Sequence, residues 1–310
     1  MSGEFIALTG ATGFIGRHLL RSLSAQGYRV RVLLRRPVEL PPGASGAVVG
    51  DLTRPMNMAA ALADVDAVVH SAGLAHAMSG APEDDYRASN TEATRWLGEA
   101  ASRARVRRFV FLSSIRAQTG PSAQGVVTET DVAVPTDAYG RSKLDAETAL
   151  SEIGLDWVAL RPVLVYGEGV KGNMAALMRL AASPYPLPLG SIAGRRSLVS
   201  LDSLSDAVVT VLRARERLSS PLILAEPDPL TLPEMIAALR HGLGRNPGTM
   251  PCPASIIDLV CRLTGRGEEF GRIATDLVAQ SEGLSALGWV PRTTSREGLS
   301  ALARSTSTRT

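Results

Sequence analysis

The 310-residue sequence predicts an α/β fold: a doubly wound parallel sheet with helices on both faces and a smaller C-terminal region beside it. Three observations predict it. Short apolar runs alternate with helix-patterned stretches through the first half. A glycine-rich turn joins the first apolar run to the first helical stretch. After about residue 163 the alternation gives way to Pro-, Gly- and Ser-rich loop and further helical patterns.

The predicted strands are "FIALTG" (5–10), "RVRVLL" (29–34), "GAVVG" (46–50), "DAVVH" (66–70), "RFVFLSS" (108–114) and "DWVALRP" (156–162). Each is short, rich in Val, Ile, Leu or Phe, and closed by polar or Gly residues. Helical patterns fill the gaps at 14–26, 56–63, 83–104 and 138–153. Strands buried on both faces and separated by helices belong to a parallel sheet. Beyond them, 182–197 reads as loop, 201–215 as helix, and "PLILAEPDPLTLPEMIAALRHGLG" as strand, turn and helix, with a frayed "RSTSTRT" at the end. The expected organisation is a nucleotide-binding domain over 1–165, to which 198–217 returns. Residues 166–197 and 218–310 then form a substrate-binding region.

Composition narrows the function. At 45% hydrophobic and 20% charged, the chain can build a substantial core. It has no apolar run long enough for a membrane span, and "MSGEFIALTGATG" lacks a basic leader, so a cytoplasmic protein is expected. The net charge is +3, with basic residues spread out except for "RARVRR" (103–108), read as a solvated helix end. Nucleic-acid binding is therefore not expected. Cys252 and Cys261 have no metal-ligand spacing, and His18, His70, His76 and His241 are scattered. Neither a zinc site nor a structural disulfide is expected.

"LTGATGFIGRHLL" carries Gly10, Gly13 and Gly16 between a strand and a helix, with Thr12, Phe14 and Ile15 among them. Glycines there permit a tight turn and close approach of backbone to a pyrophosphate, and the helix N-terminus supplies free N–H groups. The reading is a Rossmann-type dinucleotide site. At the end of the second strand an acidic residue would grip the ribose of NAD, but this chain has Leu34, Arg35 and Arg36. Guanidinium groups hold a 2′-phosphate, so NADP(H) is favoured and NAD(H) kept as possible. Asp51, followed by Leu52, closes the third strand and can accept from the adenine amine.

Of the 33 basic residues only two are Lys, and one of them is Lys143, four after Tyr139 in "DAYGRSKLDAE". On a helix the two share a face. A phenol is a poor base at neutral pH, and an adjacent ammonium favours its ionised form. A compact ammonium also reaches a ribose where a planar guanidinium does not.

With these residues in place, the chain resembles the extended short-chain dehydrogenase/reductases of the NAD-dependent epimerase/dehydratase type. The likeness runs in order through "TGATGFIG", "HSAG" (70–73), "FLSS" (111–114), "PTDAYGRSK" (135–143) and "LRPVLVYGEG" (160–169). It implies Tyr139 as acid/base, Lys143 on the nicotinamide ribose and Ser114 orienting the substrate hydroxyl, with Ser113 beside it. It also implies cofactor contacts from Ser71, Ala72, Gly73, Pro162 and Val163, and a structural or cofactor-side role for Asn90. Many members dimerise through two helices, here 83–104 and 138–153, so a homodimer is implied.

The resemblance also sorts the reactions. Dehydratases carry an Asp-Glu pair after the catalytic hydroxyl, whereas Ser114 is followed by Ile115 and Arg116. The segment 170–202 is similar to the substrate region of UDP-hexose 4-epimerases and of UDP-4-keto-6-deoxy-N-acetylhexosamine 4-reductases. In those, residues matching Asn173 and Arg196 contact the UDP diphosphate. A UDP-hexose substrate is implied, in a setting of surface-polysaccharide precursor synthesis. The missing acid after the second strand, with Arg35 in place, favours the 4-reductase; a 4-epimerase that retains NAD is the alternative. Arg116 either meets an acidic or acetamido substituent or sits on the surface, and His76 either touches the sugar or is an ordinary loop histidine. Two further readings are a reductase of small ketones and, from another class, a non-catalytic NADP-binding sensor or subunit. The presence of both Tyr139 and Lys143 weighs against the sensor.

Overall fold

In the computed structural model, residues 3–74, 81–263, 271 and 274–307 are described. The chain begins β1 (Phe5–Thr9), α1 (Phe14–Ala25), β2 (Arg29–Leu34), β3 (Ala44–Val48), α2 (Met58–Ala61) and β4 (Ala67–His70). It continues α3 (Glu83–Tyr86), α4 (Ala93–Arg103), β5 (Arg108–Leu112), β6 (Val126–Val127), α5 (Ala138–Glu152), β7 (Trp157–Pro162) and β8 (Leu164–Tyr166). Then come α6 (Gly172–Ala182), β9 (Arg195–Arg196), β10 (Leu198–Ser200), α7 (Leu201–Arg213), β11 (Ser220–Leu224), β12 (Leu230–Thr231) and α8 (Leu232–Gly242), with a C-terminal helix at Ser295–Ser307.

Seven strands form one sheet in the order β11-β7-β5-β4-β1-β2-β3, every neighbour parallel. The expected Rossmann-type doubly wound sheet is what the chain builds. β1, β4, β5 and β7 are buried along their full length, which is why their sequences read as unbroken apolar runs. Helices α1 and α7 cover one face through Leu19, Leu23, Leu204, Val208 and Val211. On the other face, α2, α4 and α5 pack Ala61, Leu97, Ala101, Ala146 and Leu150. The strand order reverses between β1 and β4, and such a switch point opens a crevice at the strands' C-terminal ends.

The structure corrects two expectations. The seventh strand, Ser220–Leu224, pairs with β7 inside the main sheet, so the sheet draws on a segment assigned to the substrate region. Its apolar run satisfies the exposed edge of β7, a partner too distant in sequence to be inferred from pattern. The helix expected over 83–104 is not uniform either. Between α3 and α4, Arg87–Glu92 takes a π-helical turn that holds Asn90.

A third apolar cluster joins β8, α6, α8 and the C-terminal helix through Tyr166, Met174, Met235, Ile236, Leu239, Leu299 and Leu302. It is tied to the main sheet by Glu226, which is fully buried just after β11. Its carboxylate accepts from Ser200 N at 3.0 Å, Ser203 Oγ at 2.8 Å, Tyr166 Oη at 3.0 Å and Ser295 Oγ at 2.7 Å. Among the described residues, no helix is long and apolar enough to cross a membrane, and no cluster of His, Cys, Asp or Glu could hold a metal ion.

Candidate active site

The glycine turn meets the crevice at the switch point. Gly10 has φ +72°, and a Cβ on it would lie 2.6 Å from Ala72 N. One on Gly16 would lie 2.1 Å from Gly10 O. Both positions therefore need hydrogen in place of a side chain: the first for its backbone angle, the second so that α1 can begin against the turn. Gly13 N donates to Gly10 O at 2.9 Å and closes the turn. Thr9 Oγ1 accepts from Ser71 N at 3.2 Å and Ala72 N at 3.1 Å, pinning the β4 loop beside it.

A cavity of about 520 Å³ opens from this turn across the ends of β2 and β3. Of the residues predicted for the cofactor, Gly10, Thr12, Arg35, Arg36, Asp51, Leu52, Ala72 and Gly73 line it. Gly13, Phe14, Ile15, Gly16, Ser71, Asn90, Ser113, Pro162 and Val163 do not border it. Val38, Thr53, Ser89 and Ala93 also line it and were not predicted. Ser89 and Ala93 stand four apart, flanking Asn90, and that spacing was a usable signal. Asp51 is held below its usual carboxyl range by hydrogen bonds from Thr53, helped by the Arg35 charge. The shape and donors fit an adenine nucleotide: backbone cradle, open helix N-terminus, and guanidinium and carboxylate groups at the far end.

Asn90 faces the same loop. Its carboxamide accepts from Leu74 N at 2.8 Å and donates to Leu74 O at 3.1 Å and Ser142 Oγ at 3.0 Å. The π turn thus links the β4 loop to α5. Behind it, buried His70 bridges Thr9 Oγ1 (2.7 Å from Nδ1) and Thr94 Oγ1 (3.0 Å from Nε2). Burial first, and then the Lys143 charge, push its pKa down to about 3. The imidazole is a neutral bridge between the phosphate strand and the helical layer.

Tyr139 and Lys143 lie in the first turns of α5. Asp137 caps that helix, accepting from Gly140 N at 2.7 Å. Tyr139 is half-buried, with its ring edge-on to Tyr86 at 6.0 Å and a hydrogen bond to the Ser114 side chain. Lys143 is buried, its Nζ donating to Leu112 O at 2.9 Å and standing 4.6 Å above the Phe111 ring centroid. Ser114, Tyr139 and Lys143 are thus brought together at the end of β5.

The expected lowering of the Tyr139 pKa by Lys143 is not what this geometry produces. Burial pushes the phenol up to about 12; the Ser114 hydrogen bond opposes the rise and Asp137 adds to it. The ammonium is engaged by a carbonyl and a ring, and burial lowers its own pKa to about 8.

Ser113, expected on the cofactor side, turns away instead. Its Oγ donates to buried Glu147 at 2.5 Å. Arg116 leaves the short helical turn after Ser114 and ion-pairs with Asp137. Its Nε is buried with no hydrogen-bond partner among the described residues. Arg196 NH1 donates to Pro121 O at 3.0 Å, and its pKa is lowered by burial and then by the Arg116 charge. Asn173 stands exposed at the start of α6. His76 and most of the loop 74–80 lie outside the described residues.

Comparison with known proteins gives the same picture. The model of the NAD dependent epimerase/dehydratase family matches residues 6–224. A UDP-glucose 4-epimerase of Vibrio cholerae is 34% identical over 94% of this chain and 92% of its own. The dTDP-6-deoxy-L-talose 4-dehydrogenase (NAD(P)(+)) of Kitasatospora kifunensis is 31% identical over 95% and 93%. Among solved structures, MoeE5 in complex with UDP-glucose and NAD superposes with a TM-score of 0.77 at 29% identity, covering 99% of each chain. The nucleotide cradle and the Ser114–Tyr139–Lys143 group thus sit on a chain that belongs to the NAD-dependent epimerase/dehydratase family, as an enzyme of the extended short-chain dehydrogenase/reductase type.

Proposed function

We propose that this enzyme interconverts UDP-hexoses at C4. The observation that carries the reading is its near full-length likeness to the UDP-glucose 4-epimerase of Vibrio cholerae, on a chain that presents Ser114, Tyr139 and Lys143 together. The relatives weigh for the epimerase over the 4-reductase that the sequence alone favoured.

When bound, an oxidised nicotinamide supplies the hydride acceptor and a positive charge that favours the phenolate. Tyr139 then moves the proton of the C4 hydroxyl, as general base in one direction and general acid in the other. Ser114, already bonded to the phenol, orients that hydroxyl. Lys143, protonated at neutral pH, holds the ribose and adds positive charge near the site. Arg196 is assigned to the diphosphate. Arg116, ion-paired with Asp137, is assigned to the sugar. Cleft, catalytic group and family membership leave the non-catalytic sensor without support. A homodimer through α4 and α5 belongs to the same proposal; surface hollows lined by Arg95, Trp96, Asp145 and Thr148 run along those helices.

The test is to denature the purified protein and identify the released nucleotide by mass. NAD near one per chain is expected, together with conversion of UDP-glucose to UDP-galactose without added cofactor. An empty protein, or one carrying NADP(H), would instead support reduction with cofactor exchange at every turnover. Arg35 and Arg36 are the observation that keeps this second reading in view. If they hold a 2′-phosphate, the Arg35→Ala/Arg36→Ala double variant should weaken NADP binding by roughly 10²–10⁴-fold, since the two lost charge-assisted hydrogen bonds contribute about 1.5–3 kcal/mol each. NAD binding should barely change. Equal losses for the two nucleotides in calorimetric titrations would remove the assignment.

A further inference from the structure

Glu147 extends the row of Tyr139 and Lys143 by one more helical turn, and sequence reasoning missed it although the spacing repeats. It is buried, 3% exposed, in the middle of a polar group that closes on itself. Its Oε1 accepts from Ser113 Oγ at 2.5 Å and Arg161 Nε at 3.0 Å, and its Oε2 accepts from Arg161 NH2 at 2.5 Å. Arg161 NH1 in turn donates to Gln118, whose amide donates to Asp131 O at 2.6 Å. Ser113 follows β5 and Arg161 lies in β7, next to Pro162. One carboxylate therefore fastens both strand ends to the helix that carries Tyr139 and Lys143.

We propose that Glu147 is a positioning residue of this site: it locks the ends of β5 and β7 onto α5 and supplies the negative charge that keeps the buried Lys143 ammonium protonated. This rests on the reading of Lys143 given above. The surroundings of Lys143 leave that task to Glu147. From β5 it meets the Leu112 carbonyl and the Phe111 ring; His70 of β4, behind that ring, is neutral. The β4 loop and π turn offer Gly73 and the uncharged carboxamide of Asn90. On its own helix stand Tyr139, which keeps its proton, and Glu147. Arg161 of β7 is a cation, but its donors are directed at Glu147 and Gln118. Burial disfavours the ammonium, and Glu147 is the charge that opposes it.

The chain's two lysines make this measurable without substrate. In protein labelled with [13Cε]lysine, Lys171→Arg assigns the signals, and the Lys143 midpoint is read from a pH titration by NMR. It is expected near 8 in the wild type. Glu147→Gln should lower it by about one unit or more, and the alkaline limb of kcat should move down with it, so that activity falls more at pH 9 than at neutral pH. Arg161→Met, which removes the competing cation, should move the midpoint the other way. Ser113→Ala, which leaves the charge in place, should lower kcat without moving it. Either charge variant, provided it folds, decides the matter: an unmoved midpoint with a loss of kcat uniform in pH would reduce Glu147 to a structural part and overturn the proposal. A shifted midpoint in a protein that never turns over UDP-hexoses would retire the C4 reading and leave the role of Glu147 standing.

Discussion

Tyr139→Phe is expected to lower kcat for C4 turnover by about 10²–10⁴-fold while nucleotide binding and the fold are kept. The magnitude is that of a positioned acid/base removed from the transition state. Phe keeps the ring against Tyr86 and loses only the hydroxyl that Ser114 holds. The phenol does not line the adenine end of the cleft, so nucleotide affinity has no reason to fall with kcat. Steady-state rates alongside nucleotide titration separate the two quantities. Wild-type turnover in this variant would end the proposed role of Tyr139, and with it the C4 mechanism as written.

The largest expected effect on stability is at Glu226. Glu226→Ala removes an acceptor shared by Ser200, Ser203, Tyr166 and Ser295, all meeting in the interior. Buried donors left without a partner cost about 1–3 kcal/mol each, partly offset by entering water. A net loss of about 3 kcal/mol is expected, which lowers Tm by roughly 5–10 °C. Glu226→Gln, which keeps one oxygen acceptor, should lose less. Burial and the Glu226 charge together raise the Tyr166 pKa, so that phenol remains a donor to Glu226 throughout the neutral range. Thermal unfolding followed by circular dichroism measures the change. An unchanged Tm would mean that the third cluster is held to the sheet by apolar packing alone.

The features legible in the sequence are those set by short-range geometry. A turn that cannot accept a Cβ writes glycine at 10 and 16. Strands covered on both faces write uninterrupted apolar runs. Two groups that must share a helix face stand four residues apart, and that spacing, placed after the fifth predicted strand, marks Tyr139 and Lys143 as a pair. These features suffice to read the Rossmann-type fold, the glycine turn and the Tyr139–Lys143 pair.

Tertiary structure decided what depends on partners far apart in the chain. Ser113 points toward α5 because Glu147, 34 residues away, accepts its hydrogen bond. Ser220–Leu224 joined the main sheet because the edge of β7 was open to it. The phenol of Tyr139 is raised in pKa because burial outweighs the Ser114 hydrogen bond and the Asp137 charge adds to it. Spacing along a helix records which groups can meet; it does not record how deeply they are buried or which other charges surround them. Those quantities are set by the whole fold, and they determine what the same residues do as chemistry.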